Sequence, residues 1–321
     1  MNEQLTIGLA GDVMLGRTLD SIISQRGFSY PWSNVLPLMK KTHLNIINLE
    51  TTLTNSEQKV EKTFNFKATP DKIESLIKAS VSIVNLANNH MLDFEKEGLL
   101  ETIKTLDDAD IKHVGAGRNL AEAEASIIIT QKGIRLGVLG FTDNEPTWKA
   151  SNKPGTNYVD IGNKSDINRI LQAIKTLRKQ ADIIIVSIHW GPNMLEKPSS
   201  EFIEFAHAMI DHGANVIHGH SAHIIQGIEY YKGNLILYDT GDFVDDYVVD
   251  PELRNDLSAF YLLTVNKAGL VNLKIIPVRI FNYQVNTARN EDYKWVIERI
   301  RKLSADFNTD IDKDGNISVM K

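Results

Sequence analysis

The most informative absence in this 321-residue sequence is that of cysteine, which does not occur at all. The chain therefore forms no disulfide bond, and it offers neither a thiolate metal site nor a cysteine nucleophile. A bound metal would have to use histidine, aspartate, glutamate, asparagine or water. Such oxygen and nitrogen donors point to zinc, manganese, iron or magnesium rather than to a soft metal.

Long apolar segments are also missing. No run approaches about 18 apolar residues, so we expect no transmembrane helix or anchor in this chain. The N-terminal segment contains Glu3, has no basic region, and its apolar run breaks at Asp12, which excludes a signal peptide. We therefore expect a cytoplasmic protein, or an extracytoplasmic one if an export segment has been removed.

The chain has little excess charge of either sign. It contains 35 basic and 41 acidic residues, for a net charge of −6, so its overall field does not favour nucleic acid and we expect no such partner. The hydrophobic fraction of 42% and the charged fraction of 24% are ordinary for a globular protein. Disorder is thereby excluded as the main state of the chain.

Short apolar runs alternate with amphipathic segments along the whole chain. The predicted strands cover Leu5–Leu9, Leu44–Leu49, Val81–Ala87, Ile111–Val114, Ser126–Thr130, Ile134–Phe141, Ile183–Ile188, Val216–Ile217, Ile228–Tyr231, Leu235–Tyr238, Ala259–Val265 and Val271–Ile280. The predicted helices cover Pro70–Ala79, Glu95–Ala109, Asp166–Lys179, Phe202–His212 and Glu291–Phe307. This alternation predicts one large α/β domain with helices on both faces of a sheet, and the hairpins predict antiparallel additions. The segments Ser56–Thr69 and Asn144–Gly162 are expected to form substrate-facing surface loops.

Five predicted strands end in side chains able to bind a metal. These are Asp12, Glu50, Asn89 with His90, His189, and His220 with His223. If the strands are parallel neighbours, their carboxyl ends meet at one rim, where ligands bind in open α/β sheets. Singly, each residue has an ordinary interpretation, such as a turn aspartate or a core histidine. Together they form the donor set of a dinuclear metal site.

Several segments resemble the CapA family, the poly-γ-glutamate capsule biosynthesis (PgsA-like) group within the calcineurin-like metallophosphatase fold. The segments are Gly11–Arg17 (GDVMLGR), Asn48–Leu53 (NLETTL), Asn85–His90 (NLANNH), Ser187–Gly191 (SIHWG), His218–Glu229 (HGHSAHIIQGIE), Leu237–Asp246 (LYDTGDFVDD) and Arg254–Leu257 (RNDL). The similarity extends over nearly the whole chain. The combination of these segments is specific for the family, whereas no single segment is. It implies a layered α/β/β/α sandwich with mixed sheets. It also implies one domain over residues 1–321, with a core at about 4–282 and a C-terminal helix and hairpin in 283–321.

The resemblance also implies a role for each strand-end residue. Asp12 and His223 would bind the first of two divalent metal ions (Mn, Zn, Fe or Mg), and Asn89, His189 and His220 the second. Glu50 stands where the fold usually has a bridging aspartate. His90 would be the catalytic histidine that donates a proton or hydrogen bond to the reacting oxyanion.

The chain departs from the wider metallophosphatase pattern at three positions. Met14 replaces a histidine ligand of the first metal, and Met91 replaces the acidic residue that usually follows Asn-His. The Gly-His-x-His motif is stretched to Gly219–His223. These departures resemble the CapA group itself, but they place phosphatase activity in question.

Four further residues complete the predicted site. Arg17 would hold a carboxylate or phosphate with two hydrogen bonds, although it is equally compatible with a surface arginine at a helix start. Asp242 would orient a ligand histidine, and the alternative is a plain turn aspartate. Arg17 and Asp242 join His90 in the predicted catalytic group, and Asn88 and His218 are placed behind the ligands as supporting residues.

These observations favour a metal-dependent hydrolase of phosphoesterase type whose metal pair activates water. Its substrate would be an anionic polymer, a peptide or a phosphoester, linked to poly-γ-glutamate or another cell-surface polymer. Two alternatives remain. The same carboxylates and histidines could epimerise a peptide residue by acid–base chemistry without metal, or the chain could be a non-catalytic capsule-polymer assembly or binding subunit.

The C-terminus contains a segment that imitates a calcium loop. Asp310, Asp312 and Asp314 have the spacing of its first half, but the twelfth position is Lys321, where a bidentate glutamate is needed. We therefore predict a hairpin with an Asp314-Gly315 turn rather than a calcium site.

Overall fold

The computed structural model describes residues 3–317 of the chain. In this range the strands are β1 Leu5–Val13, β2 Leu44–Leu49, β3 Thr52–Leu53, β4 Lys67–Ala68, β5 Ile83–Asn85, β6 Lys112–Val114, β7 Ala116–Gly117, β8 Ile127–Gln131, β9 Ile134–Thr142, β10 Gly155–Thr156, β11 Ile183–His189, β12 Val216–His220, β13 Ile228–Tyr231, β14 Asn234–Leu237, β15 Asp242–Val244, β16 Leu257–Asn266, β17 Gly269–Phe281, β18 Gln284–Thr287 and β19 Asn316–Ile317.

The helices of the same range lie between these strands. They are α1 Thr18–Arg26, α2 Leu36–Met39, α3 Ile73–Lys78, α4 Glu95–Asp108, α5 Leu120–Ala123, α6 Lys164–Leu177, α7 Ser200–Asp211 and α8 Asn290–Ser304. Short 3₁₀ turns cover Tyr30–Val35, Pro70–Lys72, Pro146–Trp148 and Ala305–Phe307. None of the helices within residues 3–317 combines the length and apolarity that crossing a bilayer requires.

Two mixed sheets form the centre of the molecule. The larger has the strand order β18-β17-β16-β1-β2-β5-β6, with β15 beside β1 and β19 beside β17. The smaller has the order β13-β14-β12-β11-β9-β8. Strands β1, β2, β5 and β6 run parallel in the first sheet, as do β9, β11, β12 and β14 in the second. Both central strands β2 and β11 are buried along their full length, which is typical of parallel strands covered on two faces.

The two sheets pack face to face, and helices cover their outer faces. Side chains such as Ile7 and Ile46 of one sheet share an apolar core with Val138 and Ile185 of the other. Helices α1, α3 and α4 pack on the outside of the larger sheet, and α6 and α7 on the outside of the smaller. The predicted α/β/β/α sandwich with mixed sheets is therefore confirmed.

Some local predictions differ from the structure. The predicted helix over Pro70–Ala79 begins instead as a 3₁₀ turn, where Lys72 is buried and its ammonium lies 3.2 Å from Asp20 and 3.0 Å from Asp71. Strand β1 runs on past its predicted end at Leu9, because β15 pairs with it opposite Asp12. The strands that bear the predicted ligands are also not neighbours in one sheet: β1, β2 and β5 belong to the larger sheet, and β11 and β12 to the smaller.

The C-terminal segment forms the predicted hairpin. Ile311 pairs with Ile317 across a turn in which Gly315 adopts a left-handed conformation with a φ of 77°. The Asp312 carboxylate closes this turn by accepting hydrogen bonds from the backbone N–H groups of Asp314 and Asn316. Lys321, the twelfth position of the calcium-loop pattern, lies outside the described residues.

Candidate metal centre

The larger sheet contributes two buried carboxylates. Asp12 lies near the end of β1, and Glu50 follows the end of the parallel neighbour β2. Asn48 of β2 donates a hydrogen bond of 2.7 Å to Asp12 Oδ1. The other Asp12 oxygen, Oδ2, and Glu50 Oε1 have no hydrogen-bond partner among the described residues. Burial raises the pKa of Asp12 to about 7 and the pKa of Glu50 well above its ordinary value.

The smaller sheet contributes two imidazoles to the same place. His189 and His220 end the adjacent parallel strands β11 and β12 and are directly paired in register. Their Nδ1 atoms are 3.1 Å apart and lie 3.8 and 3.7 Å from Asp12 Oδ1. Burial lowers the pKa of both histidines well below its ordinary value, so both rings are neutral, as metal ligation requires.

His223 reaches the carboxylates from the loop after β12, where its φ of 60° is unusual for a residue with a side chain. Its Nδ1 lies 3.6 Å from Asp12 Oδ2 and 2.8 Å from Asp242 Oδ1. Burial alone would lower the pKa of His223, but the carboxylates of Asp242, Glu50 and Asp12 together raise it well above its ordinary value. The pairing of β15 with β1 brings Asp242 opposite Asp12. In this position Asp242 can orient His223, which is a predicted ligand.

These side chains form two overlapping groups that fit metal ions. Asp12, His189 and His220 offer ligand atoms within 4.8 Å of one another, and so do Asp12, Glu50 and His223. The unpartnered oxygens of Asp12 and Glu50 are buried in the same place, and a divalent cation would satisfy them. Asp12 belongs to both groups, whereas the resemblance gave the bridging position to Glu50. Glu50 nevertheless belongs to the second group, and its Oε1 lies 3.9 Å from His189 Nε2 of the first.

The turn after β5 brings Asn88, Asn89 and His90 to the same edge. Asn88 donates hydrogen bonds to Asn48 Oδ1 and to the Leu49 carbonyl, and its own side-chain oxygen accepts from the His90 N–H. The side-chain oxygen of Asn89 is buried and has no partner among the described residues. His90 Nε2 lies 3.9 Å from Glu50 Oε1. The structure thus brings His90 to Glu50 and links Asn88 to Asp12 through Asn48, and Asn89 lies between them in the same turn.

His218 and Arg17, the two remaining predicted residues, differ in solvent exposure. His218 is fully buried behind His220, where the two rings are 5.4 Å apart, and burial lowers its pKa to about 4. Arg17 is exposed, and its Nε lies 3.4 Å from Asp246 Oδ1. It makes no ion pair or hydrogen bond to a predicted metal ligand within residues 3–317. Its predicted contact with a substrate anion stays a prediction.

Two charged or polar side chains of the site were not predicted from the sequence. Asp93 Oδ2 lies 2.5 Å from His90 Nδ1. Asp93 thus supplies a carboxylate next to the histidine, although the position directly after Asn-His, which is usually acidic, is Met91. The spacing of three residues between His90 and Asp93 was the available signal. Asn48 donates to Asp12 and lies 3.2 Å from His189 Nδ1, so it joins the two sheets, and its position next to the predicted strand end could have indicated this.

Three more residues come from loops. Phe66 lies in the predicted substrate-facing loop Ser56–Thr69 and Asp239 in the quoted segment Leu237–Asp246, although neither was singled out, and Tyr247 had no local signal. Tyr247 donates a hydrogen bond of 3.1 Å to Glu50 Oε2. Phe66 stacks on His90 with ring centroids 3.7 Å apart. Asp239 accepts hydrogen bonds from the backbone N–H groups of Ala222 and Gly241. Asp239 thereby fixes the two turns that present His223 and Asp242.

A calcineurin-like sandwich with buried carboxylates and imidazoles at the strand ends defines the metallophosphatase-like fold class. A hypothetical protein from Thermus thermophilus shares the fold with a TM-score of 0.50 at 15% sequence identity, over 85% of this chain and 98% of that protein. The model of the family described as bacterial capsule synthesis protein PGA_cap matches residues 6–247. The chain belongs to this family, which confirms the resemblance found in the sequence.

Three relatives show how far the similarity extends. A probable polyglutamine synthesis accessory protein of Mycobacterium tuberculosis is 30% identical over 95% of this chain and 92% of its own length. The capsule biosynthesis protein CapA of Bacillus anthracis is 30% identical over 87% of this chain and 68% of its own length. The PGA biosynthesis protein CapA of Bacillus subtilis is 26% identical over 96% of this chain and 80% of its own length.

Proposed function

We propose that this chain is a metal-dependent hydrolase of phosphoesterase type that acts in the metabolism of poly-γ-glutamate or another cell-surface polymer. The observation that supports it best is the pair of overlapping ligand groups centred on Asp12. Buried carboxylates are costly in a folded protein unless cations neutralise them, and His223, whose pKa they raise, is a single cationic group beside the three carboxylates of Asp12, Glu50 and Asp242. Asp12, Glu50, Asn89, His189, His220 and His223 would hold two divalent ions.

Metal ions in this position would lower the pKa of a bound water to about 7 and polarise the bond under attack. The protein's own contribution begins with His90, whose Nε2 faces Glu50 Oε1 at 3.9 Å. Its Nδ1 is held by Asp93, and burial raises the pKa of that carboxyl to about 7. Burial lowers the pKa of His90 well below its ordinary value, so its ring is neutral. When Asp93 is protonated and donates to Nδ1, the single ring proton of His90 sits on Nε2, from where it can pass to the reacting oxygen while Nδ1 takes the proton of Asp93.

The link to an anionic polymer rests on the family and on the relatives. One relative is named for PGA biosynthesis and another for capsule biosynthesis. Arg17 lies beside the site with its terminal nitrogens uncommitted within the described residues, as recognition of an anionic group would need. The polymer assignment therefore depends on a family name and on one cationic group next to the site.

The proposal is tested by metal analysis and turnover on the same purified samples. The unmodified protein should contain divalent metal and hydrolyse a chromogenic phosphodiester with added Mn²⁺. His90→Ala should reduce turnover by about 10²–10⁴-fold without loss of metal. His212→Gln is the matched control, because that imidazole bonds to the Ala208 carbonyl outside the site.

One outcome would overturn the role of His90, and two others would contradict the hydrolase itself. Loss of metal in His90→Ala would mean that His90 is a ligand rather than a proton donor. Metal-free protein that exchanges deuterium into a peptide Cα would favour the epimerase. Tight polymer binding without either activity would favour a non-catalytic binding subunit.

A further inference from the structure

We infer that a cavity beside the metal centre is a subsite for a carboxylate or phosphate group of the substrate, next to the bond under attack. The cavity has a volume of about 440 Å³. Its cationic lining residues are Arg17, Lys59, Lys62 and Lys67. This inference deepens the proposed function and rests on it, because it assigns the part of the substrate that does not react.

The charge of the cavity differs from that of the molecule. The chain as a whole has a net charge of −6, yet four basic side chains and a single acidic one, Glu57, line this cavity. Phe64, Phe66 and Phe94 supply apolar walls. Basic groups set in partly apolar walls attract an anion more strongly than the same groups do in open solvent.

Arg17 is the best-placed of these cations for direct recognition. Its Cζ lies 5.8 Å from the ring centre of Phe64 and 5.6 Å from that of Phe66, within the range of cation–π contacts. Its Nε faces Asp246 at 3.4 Å. Its two terminal nitrogens donate no hydrogen bond within residues 3–317. A guanidinium fixed in this way presents two parallel N–H groups, which match a carboxylate or a phosphate.

Phe66 connects this cavity to the predicted catalytic histidine. Its ring stacks on His90 at 3.7 Å between centroids and contacts Arg17 as well. An anion bound by Arg17 is therefore about one aromatic ring away from His90. That separation lets one substrate reach the metal centre with its reacting bond and the subsite with a neighbouring charged group.

Lys62 and Lys67, in the segment Ser56–Thr69, differ from Arg17 in their role. Lys62 donates to the Asn89 carbonyl and lies 3.1 Å from Asp93, while Lys67 lies 2.5 Å from Glu57. Because the carboxylates of Asp93 and Glu57 already neutralise Lys62 and Lys67, these lysines hold the loop of residues 56–69 in place rather than bind a ligand. Arg17 is the residue on which the subsite depends.

The test compares Arg17→Gln with Arg26→Gln. Both arginines belong to the α1 region, and Arg26 also lies over an aromatic ring, 5.8 Å from that of Tyr30. Calorimetry on the full-length Mn²⁺-loaded chain would use two probes, a ten-residue oligo-γ-glutamate and inorganic tripolyphosphate. Arg17→Gln should weaken binding of at least one probe by about 10–100-fold, because it removes hydrogen bonds to a charged group. Arg26→Gln should change it less than about 2-fold.

The outcomes separate the subsite from the hydrolase. Arg17-dependent binding of oligo-γ-glutamate identifies a carboxylate ligand, and Arg17-dependent binding of tripolyphosphate identifies a phosphate ligand. Equal affinities of the two variants, or no binding of either probe by the unmodified protein, would overturn the inference even if phosphodiester turnover is observed. Arg17-dependent binding without any turnover would support the subsite while rejecting the hydrolase. Thermal melts of both variants exclude a folding defect as the cause.

Discussion

Two aspartate-rich regions of this chain have opposite physical character. At the strand ends, Asp12 and Glu50 are buried and keep carboxylate oxygens without partners among the described residues. In the C-terminal hairpin, Asp312 is exposed and accepts hydrogen bonds from Asp314 and Asn316. Burial raises the pKa of Asp12 to about 7, whereas bonds from Asn316 lower the pKa of Asp312.

This contrast explains why a motif alone is a poor guide to a metal site. The hairpin has the acidic spacing of a calcium loop, but its Asp312 carboxylate is satisfied by its own turn. The strand-end residues are far apart in sequence and form no local motif of that kind. Their buried and unsatisfied donor atoms are what a cation would stabilise.

The largest expected effect is on metal binding. Asp12→Asn should reduce affinity for Mn²⁺ by more than about 100-fold, because Asp12 is shared by both ligand groups. Asp312→Asn should leave affinity unchanged, since its carboxylate only closes a turn. Titration of both variants with Mn²⁺ and Ca²⁺ by calorimetry measures this. If Asp312→Asn lost metal affinity and Asp12→Asn kept it, the metal would be bound by the hairpin and the prediction would be wrong.

The next effect is on turnover through His90. Asp93→Asn should lower kcat by about 10–100-fold at unchanged metal content, because it removes the partner of His90 Nδ1. A plot of kcat against pH should also lose the change in rate that titration of the Asp93–His90 pair produces. Asp107→Asn is a suitable control, since Asp107 contacts His113 at 3.4 Å outside the site. An unchanged pH profile would show that Asp93 only supports the loop.

A smaller effect is expected on the stability of the metal-free protein. Because the pKa of Asp12 rises from 3.8 to about 7 on folding, the folded state binds more protons than the unfolded state between these values. The contribution of Asp12 to the free energy of unfolding therefore decreases as pH rises through this window. Asp12→Asn should make the metal-free protein about 1–2 kcal/mol more stable at pH 8. Urea unfolding at pH 5 and pH 8 tests this, and a variant less stable at pH 8 would contradict it.

The sequence predicted most of the layers and the positions of the site residues within them. Buried apolar runs followed by a polar residue placed His189 and His220 at strand ends, and the periodic apolar face of α6 predicted that helix. Helix α1 was not predicted, because it buries only Leu19 and Ile23 and has little amphipathic pattern.

The remaining features depend on contacts between distant parts of the chain. Which sheet a strand joins is decided by pairing, and no local pattern separates β2 from β11. Phe66 and Tyr247 reach the site from loops, and Asn48 acts through Asp12 and His189 of different sheets. Such residues are recognised only when the backbone has brought their partners together.

The smallest effect is expected in the hairpin itself. Since hydrogen bonds from Asn316 lower the pKa of Asp312, the ionised carboxylate stabilises the fold above pH 3.8, and this stabilisation is lost as pH falls through the folded-state pKa. Asp312→Asn keeps an acceptor oxygen at an exposed position and should change the free energy of unfolding by less than about 0.5 kcal/mol at pH 7. Thermal melts with and without Ca²⁺ should superimpose for both proteins. A calcium-dependent rise in the unmodified protein alone would show that this hairpin binds a cation despite the geometry of its turn, and the contrast with the strand-end site would then fail.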